Sequence, residues 1–274
     1  MKPKKSLGQN FLRDTDVLEK IIASADLKPT DLVVEIGPGE GVLTEKLFKN
    51  AGKVLAIEVD GVLANKLKKQ YKNSKKIEII DADILKINLP EIIKNNNFQK
   101  YKVVANIPYY ITSPIIQLFL ETEFPPSEMI LMVQKEVAER ICAQAGQMSI
   151  LAVSVQYYAK PELLFYVDKK SFFPVPEVDS AVIKISKIHR GSSASIMEAE
   201  LPKTKHFFRI VKAGFSAKRK TLVNNLSASL KLNKKEVEEK LKKIGINSNQ
   251  RAQELSVEDW KKLSLSFPYP LSRA

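Results

Sequence analysis

The strongest constraint on the fold is an alternation that begins at residue 32. Short runs rich in β-branched residues, at 32–36, 53–58, 77–81, 102–105 and 129–133, are separated by 43–50, 61–71 and 114–121, whose apolar residues recur at helical spacing. Strand and helix signals taken in turn predict βα units and a doubly wound parallel sheet. The helix at 114–121 is announced by Thr112-Ser113-Pro114, a capping residue followed by proline in the first turn. Further on, 151–158, 161–167 and 180–186 read as strands, the last two flanking Phe172-Phe173-Pro174-Val175-Pro176. Short extended pieces after the βα units predict an antiparallel addition to the sheet.

The pattern then changes. Residues 188–205, with Gly191-Ser192-Ser193-Ala194-Ser195, lack periodicity and read as a linker. Beyond it, 207–214, 219–230, 234–244 and 257–266 read as helices, with Ser256 as a cap and Gly245 as a stop. The expected organisation is an α/β domain over 1–188 and a small all-α domain over 203–274.

The loop after the first strong strand, Glu35-Ile36-Gly37-Pro38-Gly39-Glu40-Gly41, places Gly37, Gly39 and Gly41 where the backbone must turn sharply beside a ligand. The dinucleotide fingerprint is Gly-x-Gly-x-x-Gly and seats a pyrophosphate at a helix start. Here the spacing is Gly-x-Gly-x-Gly, and Glu35 and Glu40 would repel a pyrophosphate but suit a ligand carrying a sulfonium and an ammonium. Glu58 ends the second strand, where a carboxylate accepts from both hydroxyls of a ribose, and Asp83 follows the third, placed to accept from an adenine amino group. S-adenosylmethionine meets all three demands.

Asn106-Ile107-Pro108-Tyr109 follows the fourth strand. An aromatic amino nitrogen is a poor nucleophile because its lone pair is delocalised. Acceptance of its two hydrogens by the Asn106 side-chain oxygen and the Ile107 carbonyl draws it toward tetrahedral geometry and stabilises the positive charge it gains. Pro108 fixes the turn, and Tyr109 offers a face for an unpaired base, worth ~1–3 kcal/mol.

The formal net charge of +13 points to a polyanionic partner. It is uneven. Residues 201–243 hold thirteen Lys or Arg against three Glu, including Lys218-Arg219-Lys220, and 66–76 hold six Lys and no acid, a run that fits a solvated helix face as well as a polyanion contact. One cysteine, Cys142, and two histidines, His189 and His206, make no metal cluster, so no metal is expected. No apolar run reaches the roughly 20 residues of a membrane span, and no secretory signal opens the chain. A cytoplasmic monomer without a membrane partner is expected.

These residues together resemble the KsgA/RsmA family of bacterial small-subunit rRNA adenine dimethyltransferases over nearly the whole chain. Ser6-Leu7-Gly8-Gln9-Asn10-Phe11-Leu12 is similar to the family's opening motif, and 35–41, Glu58, Asp83 and 106–109 match its later motifs in order. The resemblance implies a Rossmann-like class I methyltransferase domain, its mainly parallel seven-stranded sheet having an antiparallel C-terminal strand. It implies that Gln9, Asn10 and Leu12 fold over the cofactor, that Ile84 adjoins it beside Asp83, and that Phe172 helps hold the target base. Phe215-Ser216-Ala217-Lys218-Arg219-Lys220-Thr221-Leu222 through Asn224-Asn225-Leu226 resembles the family's basic C-terminal helix, implying that Lys218, Arg219 and Lys220 contact RNA. The expected substrate is then two adjacent adenosines in a loop near the 3′ end of 16S rRNA, within the small subunit or its precursor. Rival readings are the related large-subunit resistance methyltransferase, a small-subunit assembly factor with secondary catalysis, and an NAD-linked oxidoreductase.

Overall fold

A computed structural model describes residues 3–4, 7–96, 98–188 and 194–267, with the side chains of 194–202 excepted. Ser6, His189 and Gly191-Ser192-Ser193 of the expected linker lie outside the described residues. Two compact units form, one from 1–139 and 159–190, the other from 140–158 and 191–274.

The first unit is built on a seven-stranded sheet in the order β4-β3-β2-β5-β6-β9-β7. Its strands are β2 (Leu32–Ile36), β3 (Lys53–Glu58), β4 (Ile77–Asp81), β5 (Tyr101–Asn106), β6 (Glu128–Gln134), β7 (Lys160–Val167) and β9 (Ser180–Ser186). All neighbours are parallel except those of β9, which runs antiparallel to both β6 and β7. Helices α1 (Thr15–Ala25), α2 (Val42–Asn50), α3 (Gly61–Gln70), α4 (Leu89–Asn95) and α5 (Thr112–Glu121) interleave with the strands. Every residue of β2 is buried, as a central strand covered on both faces requires. On one face, Val33, Val54, Val104, Ile130 and Val182 pack with Leu18, Ile21, Leu43 and Leu47 from α1 and α2. Successive strands are added in one direction from β2 to β4 and in the other from β5 onward, and this switch between the parallel β2 and β5 places a crevice at their carboxyl ends.

Two short elements escape sequence patterning. β1 (Phe11–Leu12) and β8 (Phe172–Phe173) form an antiparallel ribbon outside the main sheet. It is extended by Arg13 N–H donating to the Ser171 carbonyl at 2.8 Å and the Ser171 hydroxyl donating to Asp14, which also caps α1.

Residues 151–158, expected as a strand, are instead the helix α7 (Ile150–Tyr158), following α6 (Lys135–Ile141). The run is too short and too uniformly apolar for periodicity to separate a buried helix from a strand. Together with α8 (Ala194–Gly214), α9 (Leu222–Leu230), α10 (Lys234–Lys243) and α11 (Val257–Ser266), α7 belongs to the second unit. The expected linear division at 188/203 therefore departs from the contacts by leaving 140–158 with the first domain. Helix α8 also begins at Ala194, well before the expected 207, since residues 196–201, Ile-Met-Glu-Ala-Glu-Leu, are mostly strong helix formers. The core of this unit gathers Phe207, Leu226, Val237, Leu241 and a fully buried Trp260, on which Phe215 stacks at 5.4 Å between ring centroids. Ser256 caps α11 by accepting from Asp259 N–H, and Gly245, at φ 77°, follows α10.

Candidate active site

The crevice holds a cavity of about 300 Å³, the lower end of the range for ligand sites. Its walls include Gln9, Asn10, Leu12, Glu35, Gly37, Gly39, Glu58, Asp83, Ile84 and the tetrapeptide 106–109. Four acids, Glu35, Glu40, Glu58 and Asp83, line it, and among the described residues no lysine or arginine does. A pyrophosphate would find no counter-charge there, whereas a cation would.

The glycine loop owes its shape to left-handed backbone, with φ of 65° at Gly37, 60° at Gly39 and 90° at Gly41. A Cβ at Gly39 would lie 3.0 Å from the Phe11 ring, and one at Gly41 would lie 2.6 Å from Leu67 of α3. Glycine is thus required for both conformation and space. Gly37 N–H donates to the Ile57 carbonyl at 2.9 Å, tying the loop to β3.

Glu58, 4% exposed, accepts from Gly39 N–H at 3.0 Å and Asp60 N–H at 2.9 Å. Burial raises its pKa despite those donors. Glu35, 1% exposed, is pushed up to about 8, mainly by burial, against the nearby Thr44 hydroxyl and with the Glu58 charge adding to the rise. Neither Glu35 Oε2 nor the Thr44 hydroxyl makes a hydrogen bond of acceptable geometry. A buried acceptor without a donor costs about 1–3 kcal/mol, and an ammonium group would relieve it. The residues present therefore fit a ligand with a cationic amino-acid end and a nucleoside end. Asp83 accepts from Leu85 N–H at 3.0 Å and stands 3.5 Å from Lys86.

The 7–12 segment closes one side of the cavity. Gln9 donates to Asp60 at 3.0 Å, Lys4 pairs with the other Asp60 oxygen at 2.9 Å, and Arg13 pairs with Glu40. Asp60 is 2% exposed and its pKa is lowered, its hydrogen bonds to Lys4 and Gln9 outweighing burial. Sequence reading missed Asp60, although an acid two residues after Glu58 was the available signal. The Tyr110 ring packs against Gly8 and remains 56% exposed at the cavity wall.

Asn106 Nδ2 donates to the Asn10 carbonyl at 3.4 Å. A carbonyl can only accept, so the amide nitrogen faces it and Oδ1 is left without a partner among the described residues. Ile107 is buried, its N–H donating to the Met132 carbonyl of β6 at 3.1 Å. The Tyr109 hydroxyl shares a 2.8 Å hydrogen bond with Ser180, which fixes the ring, and burial raises its pKa. Phe172 is not among the residues that line this cavity. It is 2% exposed and packed in the core, whereas its neighbour Phe173 is 58% exposed, as alternation along a strand dictates.

Lys218, Arg219 and Lys220 are exposed on the turn between α8 and α9, not on the expected helix, because α9 starts only at Leu222. Buried Asn225 pins that turn, donating to the Gly214 carbonyl at 2.6 Å and the Ala217 carbonyl at 3.0 Å.

The model of the family described as ribosomal RNA adenine dimethylase matches residues 1–267. The chain belongs to that family. A ribosomal RNA small subunit methyltransferase A of Dehalococcoides mccartyi is 45% identical, over 97% of this chain and 89% of its own length. A protein of the same name from Alkaliphilus metalliredigens is 40% identical, over 95% and 90%. Among solved structures, a dimethyladenosine transferase from Plasmodium falciparum superposes with a TM-score of 0.75 at 29% identity, covering 94% of this chain and 97% of that one. The 23S rRNA methyltransferase ErmE gives 0.72 at 28% identity, covering 94% and 99%. Asn106 lies on the wall of the cavity.

Proposed function

We infer that this chain transfers methyl groups from S-adenosylmethionine to N6 of adenosine in small-subunit rRNA, placing two on each of two adjacent adenosines near the 3′ end of 16S rRNA. The observation that carries the reading is Asn106, whose amide nitrogen is held by the Asn10 carbonyl while Oδ1 is left to accept. When bound, the cofactor supplies a methyl group activated by a sulfonium. Glu35 receives the cofactor's ammonium, Glu58 its ribose hydroxyls, and Asp83 its adenine amino group. The Asn106 oxygen and the Ile107 carbonyl accept the two N6 hydrogens of the target and oppose the positive charge that the nitrogen acquires. Tyr109, fixed by Ser180, bounds the target base. The product ammonium is acidic enough to release its proton to water, so no strong general base is needed. An adenine must leave its stack to reach Asn106, which makes accessible adenosine in structured RNA the substrate.

The relatives that are 40–45% identical carry a small-subunit name, which favours that substrate over large-subunit RNA. A labelled-methyl assay decides. Unmethylated small subunits should yield N6,N6-dimethyladenosine on digestion to nucleosides, and label appearing only in large-subunit RNA would overturn the assignment.

A further inference from the structure

Helix α3 has two faces with different tasks. Leu63, Ala64 and Leu67 are buried, Leu63 lines the cofactor cavity, and Leu67 packs against the glycine loop at Gly41. The outer face and the following turn carry Lys66, Lys68, Lys69, Lys72 and Lys75, all exposed. None of the five makes an ion pair among the described residues. Nearby acids are engaged elsewhere: Asp60 with Lys4 and Gln9, and Glu78 with Lys53. Lys76 differs, standing 5.2 Å over the Phe48 ring.

Lys68 and Lys69 fall in the last turn of α3, where the helix dipole favours positive charge. That accounts for two. It does not account for Lys66 stacked three residues before Lys69, a repulsion of a few tenths of a kcal/mol, nor for Lys72 and Lys75 beyond the helix end. A solubilising surface normally intersperses both signs, and this one does not.

We propose that the outer face of α3 and its turn, Lys66 to Lys75, is a second RNA-backbone contact, on the catalytic unit and independent of the Lys218-Arg219-Lys220 turn. The inference rests on the chain acting on rRNA. Five ammonium groups spread over ten residues suit successive phosphates of one strand, because lysine meets phosphate as a point charge and reads no sequence. Phosphate-bound RNA on one face of this helix lies about one helix diameter, ~10 Å, from the cofactor cavity on the other. The contact anchors the substrate next to the reacting site and leaves base selection to the cavity.

The test is a fivefold Lys→Gln variant at positions 66, 68, 69, 72 and 75, with the fivefold Lys→Arg variant as charge-retaining control. Binding of protein-free unmethylated small-subunit rRNA and of assembled subunits is titrated from low to moderate salt. Neutralising each phosphate contributes ~0.7–0.9 to the log–log slope, so the Gln variant should flatten it by about 3.5–4.5 and weaken binding about tenfold or more at low salt. The Arg variant should keep the slope, and cofactor affinity of both should equal that of the parent, reporting an intact α3. An unchanged slope in the Gln variant overturns the proposal while the parent still methylates. A loss confined to assembled subunits would assign the surface to an acidic protein instead. If the parent itself transfers no methyl to the small subunit, the function proposed above fails first.

Discussion

Asn106 is held by one long hydrogen bond to a main-chain carbonyl, so its side chain can be removed with little cost to the cavity. Asn106→Ala should lower methyl transfer on the order of 100-fold, as losing one fixed partner of a developing charge does elsewhere, while cofactor affinity in an equilibrium titration changes little. Equal losses in both would remove it from the chemistry. Glu35 gives a pH signature. Its carboxyl ionises near 4.5 when unfolded and near 8 when folded and buried, so the folded state holds an extra proton between those values. Stability of the ligand-free protein should fall as pH rises from about 5 to 8, by roughly 2–4 kcal/mol, and buried Glu58, also raised, adds to the fall. Glu35→Gln should flatten the dependence of the unfolding midpoint on pH; an unaltered profile would show that Glu35 is ionised throughout. A cation favours the ionised carboxylate, so cofactor affinity should rise over the same window.

Elements differ in how plainly the sequence announces them. β2, β3 and β4 were legible to the residue because buried parallel strands are short β-branched runs between turn signals. The glycine loop was legible because left-handed backbone leaves few alternatives. α7 was misread because its seven apolar or aromatic positions out of nine carry no clear period, and burial against other helices, invisible locally, decided its state. The β1/β8 ribbon escaped because two-residue strands have no pattern. At 172–173 the motif fixes the residue types, while strand pairing fixes which ring is buried and which exposed. Gly41→Ala tests the coupling of loop to helix. It should cost about 1–3 kcal/mol from left-handed strain and, by displacing Leu67, weaken cofactor binding more than a substitution of exposed Asn65 on the same helix.

At the scale of the molecule, charge is distributed for a polyanion on both units. The basic turn at 218–220 depends on Asn225 beneath it. Neutralising Lys218, Arg219 and Lys220 together should reduce the salt slope of rRNA binding by about 2, with cofactor affinity unaltered. Asn225→Ala keeps those charges but leaves the Gly214 carbonyl without its donor and the Ala217 carbonyl with Lys220 N–H alone. It should lower the unfolding midpoint, by about 1–3 kcal/mol in stability, and weaken RNA binding, and a variant that binds as tightly as the parent would show that the turn holds its shape without the clamp. The Lys66–Lys75 run was equally visible in sequence, but only the structure shows that its lysines make no ion pair among the described residues and that the inner face of their helix borders the cavity.

The ribbon joining β1 to β8, with Ser171 and Asp14 bonded across 157 positions of chain, has a consequence for biosynthesis. During vectorial translation the glycine loop, Glu58 and Asn106 emerge while the segment that covers them still lacks its partner strand. Long-range pairing of this kind is a late event in folding, so the covering segment can dock on Asp60 and Glu40 early but gains its partner strand only after residue 173 leaves the exit tunnel.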